Sequence, residues 1–82
     1  ITGVNERMAE LLKLFYDEPE RILTIKEVEH RFQVSNYTAR TDLKALVDMG
    51  FLEVIHVNQK KQNFVRSPHF LQLLEEKNAR FL

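Results

Sequence analysis

The chain has no cysteine, which excludes disulfides, thiolate nucleophiles and cysteine-based metal sites. It has only two glycines, too few for a glycine-rich loop that cradles phosphate. Its two prolines, Pro19 and Pro68, are isolated breaks, and there is no low-complexity tract, linker or internal repeat. No apolar run approaches the roughly 18 residues that a membrane-spanning helix needs. Net charge is also lacking, since 12 basic and 12 acidic side chains cancel. That balance argues against strong nonspecific affinity for nucleic acid, which depends on neutralising phosphates. No signal peptide is visible, so a cytoplasmic location is expected. The chain opens on Ile1 rather than Met, and it is expected to be the C-terminal piece of a longer protein.

Eighty-two residues make a single domain, 1–82, with a modest core. Charge is unevenly spread along it. Residues 1–29 carry four basic and seven acidic side chains, and residues 30–66 carry six and three. The basic excess therefore falls in the middle of the chain, either as a binding stripe or as an ordinary solvated face.

Val4, Met8, Leu11, Leu12 and Phe15 recur at helical spacing, which predicts a first helix over 5–16. Pro19 stops it. Ile22 and Leu23 suit either a short strand or a plug for the core. Thr24 and Glu27 have capping-box spacing, and Leu23 with Val28 has the spacing of a hydrophobic staple, so a second helix starts here and ends near Phe32. Gln33-Val34-Ser35 is a turn anchored by Val34. Ser35 is a good N-cap for a third helix over about 36–49, whose core stripe is Ala39, Leu43, Leu46 and Val47. Gly50 suits the left-handed position that ends a helix.

Residues 51–57 and 63–66 are rich in β-branched and aromatic side chains around the polar turn Asn58-Gln-Lys-Lys-Gln62, which predicts a hairpin over about 52–66. Val54 and Ile55 interrupt the alternation, so a bulge or twist is expected there. Ser67 as cap and Pro68 as first helical residue open a last helix lined by Phe70, Leu73, Leu74 and Phe81, with Leu71 beside them. This helix is expected either to cover the core or to meet a partner chain. The predicted class is α+β, mainly α: a winged helix-turn-helix with a three-helix core, a β-hairpin wing and an extra C-terminal helix.

One face of the third helix, opposite its core stripe, carries Asn36, Tyr37, Arg40, Thr41 and Lys44. Arg and Asn suit base edges, and Thr, Tyr and Lys suit phosphates. Ser35 and the first N–H groups of this helix can also hold a phosphate; Thr38 joins the set through a family resemblance. Lys60 and Lys61 sit at the hairpin tip. These nine residues (Ser35, Asn36, Tyr37, Thr38, Arg40, Thr41, Lys44, Lys60 and Lys61) form the expected interface with double-stranded DNA. The alternative is a protein–protein or dimerisation module with an ordinary polar face, in which Tyr37 packs on the wing. His30, His56 and His69 are scattered without paired-ligand spacing, so no metal, cofactor or catalytic residue is expected.

The run from Val34 to Leu52, with its Val-Ser turn, Arg40-Thr-Asp-Leu43 and Gly50-Phe-Leu52, resembles the helix-turn-helix of DeoR-like bacterial repressors. Thr41 stands where those have a second Arg, removing one phosphate contact. Over Ile22 to about Leu74 the chain also resembles the C-terminal winged helix of bacterial Fic-family proteins, through Thr38-Ala-Arg-Thr-Asp-Leu43, the Lys60-Lys61 turn and Phe64-Val-Arg-Ser-Pro68. In those proteins an upstream Fic domain transfers AMP from ATP to a protein hydroxyl. The Fic motif His-Pro-Phe-x-Asp/Glu-Gly-Asn-Gly-Arg is absent here. The resemblance thus implies a regulatory module without catalytic residues, accessory to an upstream Fic domain; separately, the apolar last helix suggests a homodimer contact.

Overall fold

The computed structural model describes residues 3–77. Seven elements follow in order: α1 (Glu6–Asp17), β1 (Leu23–Thr24), α2 (Ile25–Phe32), α3 (Asn36–Asp48), β2 (Leu52–His56), β3 (Gln62–Arg66) and α4 (Phe70–Lys77). The strands form one antiparallel sheet in the order β1-β3-β2. Three helices and a hairpin wing make the predicted winged helix, with α4 appended.

Local chemistry sets most of the boundaries. The Asn5 side chain accepts from Met8 N–H at 2.8 Å and starts α1. Both halves of the capping box at Thr24 and Glu27 are present. Gln33 takes a left-handed conformation, φ 55°, to end α2, and its side-chain amide donates to His30 O at 2.9 Å. The Ser35 hydroxyl accepts from Thr38 N–H at 3.1 Å and starts α3. That helix closes on paired bonds from Gly50 N–H to Val47 O and from Phe51 N–H to Leu46 O, with Gly50 at φ 92°. This is the Schellman arrangement, and it turns the chain directly into β2.

All the core faces meet in one cluster. Met8, Leu11, Leu12 and Phe15 come from α1, Val28 from α2, Ala39, Leu43 and Leu46 from α3, and Leu52 and Phe64 from the wing. Phe51 and Phe70 meet edge to face, ring centroids 5.8 Å apart. Phe70 and Leu74 are fully buried, so α4 covers the core, while Leu71 stays 48% exposed. Leu23 is both strand and core plug, and Ile22 beside it is left half exposed.

Two local expectations are corrected. The hairpin has no bulge: pairing runs without interruption from Leu52↔Arg66 to His56↔Gln62. Val54 faces inward, and its neighbour Ile55 is on the outer face at 49% exposure, so the alternation is regular and Ile55 is simply an exposed apolar residue. Ser67 does not cap the last helix by its side chain. Its hydroxyl donates to Gly50 O at 2.6 Å, and α4 begins at Phe70. The acceptor lies 17 residues back, so the tertiary contact draws the hydroxyl away from the local N–H groups. Phe81, predicted for the apolar side of this helix, lies outside the described residues.

Gly50 carries a testable load. A Cβ there would sit 3.1 Å from Leu73 Cδ1, on a backbone conformation that L side chains rarely adopt. Gly50→Ala is expected to cost about 1–2 kcal/mol. Urea denaturation would show this as a lower midpoint, and an unchanged midpoint would refute it.

Candidate nucleic-acid interface

Helix α3 is held from within by a buried carboxylate. Asp42, 3% exposed, accepts from Arg7 Nε at 2.7 Å, Arg7 Nη2 at 3.4 Å and Asn5 Nδ2 at 3.0 Å. The hydrogen bond to Asp42 raises the Arg7 pKa above the ordinary arginine value, with a further Coulombic contribution from the same carboxylate. The guanidinium is therefore charged at every pH below that value, and this contribution to stability is lost only above it. Asn5 uses one end of its amide to cap α1 and the other to hold Asp42. Sequence reading passed over this anchor. Its signal was an acidic residue at 42, in line with the apolar stripe at 39, 43 and 46.

Residues on the opposite side of α3 point outward. Asn36, Arg40, Thr41 and Lys44 are exposed, and Tyr37 is 78% exposed. Tyr37 therefore does not pack on the wing. Thr41 Oγ1 donates to Tyr37 O at 2.8 Å, a bond back to its own helix. Ser35 and Thr38 serve the N-cap, their hydroxyls 3.2 Å apart.

The wing tip is ordered by Asn58, whose Oδ1 accepts from the N–H groups of Lys60 and Lys61, both at 2.9 Å. This Asx turn folds the tip so that a groove of about 430 Å³ lies between α2, α3 and the wing. Asn36 and Arg40 line one wall, Lys60 and Lys61 another, and Lys26 and Glu29 of α2 a third. A smaller hollow of about 240 Å³ adjoins it, shared by Arg40 and Lys44. Asn36, Arg40, Lys60 and Lys61, and through the second hollow Lys44, are thus brought together. Tyr37 and Thr41 line neither space. Among the described residues, Arg40, Lys44, Lys26, Lys60 and Lys61 form no salt bridge, although Glu29 lines the groove and Asp48 the adjoining hollow. Lys26 and Glu29 belong to the groove but not to the predicted set, because nothing in the second helix alone indicates that the wing tip folds back beside it.

A capped helix-turn-helix, a β-hairpin wing beside it and a cationic groove between them define a winged helix-turn-helix domain. The chain belongs to the DeoR-like helix-turn-helix domain family, whose sequence profile matches residues 7–57. That span runs from Arg7 through α3 to the end of β2. No curated protein sequence matches the chain. Among solved structures it is similar to MepR, a transcription regulator of the Staphylococcus aureus multidrug efflux pump MepA, with a TM-score of 0.71 at 16% identity over 96% of this chain and 58% of that one. It is also similar to Bordetella bronchiseptica BpsR, with a TM-score of 0.68 at 19% identity over 98% and 56%. The adhesin competence repressor AdcR of Streptococcus pyogenes gives 0.67 at 16% identity over 90% and 55%. At these identities the likeness is one of fold, and the chain spans little more than half the length of each structure. Among the described residues no helix is long and apolar enough to cross a membrane.

Proposed function

We propose that this domain binds double-stranded DNA, with α3 in the major groove and the wing tip against the backbone, as the DNA-directed part of a regulatory protein. The observation that carries this reading is the groove lined by four cations, Arg40, Lys26, Lys60 and Lys61, and one carboxylate, Glu29, with no salt bridge to any of the four among the described residues. The geometry suits a duplex: base-reading side chains lie on the N-terminal half of α3, and phosphate-binding lysines lie to one side of it. The family match supports the reading, as do the roles of MepR as a transcription regulator and AdcR as a repressor.

Fluorescence anisotropy with mixed-sequence duplexes tests it. Three to four cations on phosphate imply that log affinity falls with log salt at a slope of about −3 to −4. Absence of binding at low salt would overturn the proposal for this chain.

The finer assignments extend it. An upstream Fic domain as neighbour rests on the resemblance that continues through Ser67-Pro68, beyond the family match, and the sequence preceding Ile1 tests it. A homodimer through α4 is supported by Leu71, which stays half exposed while Phe70 and Leu74 are buried. A sedimentation mass equal to one chain at high concentration would rule that contact out. The location implied by a DNA-directed role is cytoplasmic, in a bacterial cell.

A further inference from the structure

One carboxylate sits among the cations of the groove. Glu29, on α2, is half-buried, and its Oε2 accepts from Asn36 Nδ2 at 2.9 Å. Among the described residues it forms no salt bridge, although Lys26, Arg40, Lys60 and Lys61 line the same space. A surface built only to hold phosphate gains nothing from a negative charge here, which opposes the attraction that binds the backbone. The charge is instead engaged by the side-chain amide at the first position of α3.

We infer that Glu29 is a positioning residue that fixes which end of the Asn36 amide faces a bound duplex, and so sets base preference at that position. This rests on the DNA reading above. The physical reason is an asymmetry of hydrogen bonding. An ionised carboxylate only accepts, so it takes the NH₂ end of the amide and turns Oδ1 the other way. Asn36 then offers an acceptor and one remaining N–H. Adenine presents the complementary pair in the major groove, a donor at N6 and an acceptor at N7. Without Glu29 the amide can turn over, and its two ends cease to be distinguished. The same carboxylate lowers the affinity for every duplex alike, so it exchanges general affinity for selectivity.

The test begins with selection by the 82-residue chain from duplexes with a randomised core. Affinities are then measured for the selected duplex and for every single base-pair change, with wild type, Asn36→Ala, Glu29→Ala and Glu29→Gln. Glutamine keeps the shape of glutamate but both donates and accepts, so it tolerates either orientation of Asn36. Wild type should prefer adenine at one position by about tenfold or more. That preference should fall below about threefold in all three variants, while preferences elsewhere stay. Both Glu29 variants should also bind duplexes that lack this adenine a few-fold more tightly, a gain that a purely structural role would not produce.

Retention of the adenine preference in Glu29→Gln and Glu29→Ala would overturn the inference. So would retention in Asn36→Ala, or loss of preference at every position with the circular dichroism spectrum unchanged. Failure of the wild type to bind any duplex in the pool would remove the DNA reading itself. Failure of the inference while the wild type still binds is therefore distinguishable from failure of that reading.

Discussion

Asp42→Ala is expected to lower stability by about 1.5–3 kcal/mol, because it removes a buried charged acceptor. The carboxylate takes three hydrogen bonds from α1 and the residue before it, and it is 3% exposed. For a domain of this size the change corresponds to a fall in Tm on the order of 10 °C. Thermal denaturation followed by circular dichroism measures it. The effect should reach DNA binding as well. Asp42 ties the inner side of α3 to α1, while Arg40 and Thr41, two positions and one position earlier, face outward. Loss of the tie frees α3 to shift, and side chains that meet base edges tolerate little displacement. The double variant Asp42→Leu with Arg7→Met should recover most of the stability, since it leaves no charge without its partner. A double variant as unstable as Asp42→Ala would mean that volume at this position, not pairing, is what matters.

Arg40→Ala is expected to weaken binding to a preferred duplex by roughly fivefold to a hundredfold, the range for loss of one good base contact. Arg40 is exposed, forms no salt bridge among the described residues and lines both hollows between α3 and the wing. Ile25 and Gln62 also line both, and Arg40 is the charged side chain that the two hollows share. Stability should be unchanged, because among the described residues no side-chain hydrogen bond involves Arg40. If Arg40 meets a base, the variant loses discrimination at one position and the salt slope is nearly kept. If it meets a phosphate, affinity drops for all sequences and the slope shrinks by about 1. Affinity equal to wild type would move the interface away from α3. Lys13→Ala, on exposed α1, is the matching control for a lost surface charge and should leave binding nearly unchanged.

The two substitutions act on opposite sides of one helix. At about 100° per residue, two positions along the helix lead from the side that is presented, at Arg40, to the side that is held, at Asp42. Thr41 shows the consequence. It stands where DeoR-like repressors have an arginine, and its hydroxyl is turned back onto Tyr37 O. The cationic side of the interface thus depends more on Arg40 and on the lysines of α2 and the wing.

The amino-acid sequence by itself determined most of the elements and the ends that local caps set, though not the start of α4. Thr24 with Glu27, Ser35 with Thr38, and Gly50 after α3 act over three or four residues, so the information is local and readable. The apolar stripes of α1 and α3 likewise marked the core, and the hairpin followed from composition around a polar turn. The outward set on α3 was legible for the same reason, since helical spacing alone puts those residues on one side.

Tertiary structure decided what spans greater distances. Asp42 meets Arg7 35 residues away, and Ser67 leaves its expected capping role for Gly50, 17 residues away. Glu29 meets Asn36 only because the turn at Gln33 brings α2 and α3 together, and the wing tip lies beside both because Asn58 folds it there. Each of these depends on the direction of a side chain after the chain has closed on itself. Hydrophobic patterning specifies which side of an element is buried, but it does not specify which polar group a buried or half-buried polar side chain will find there.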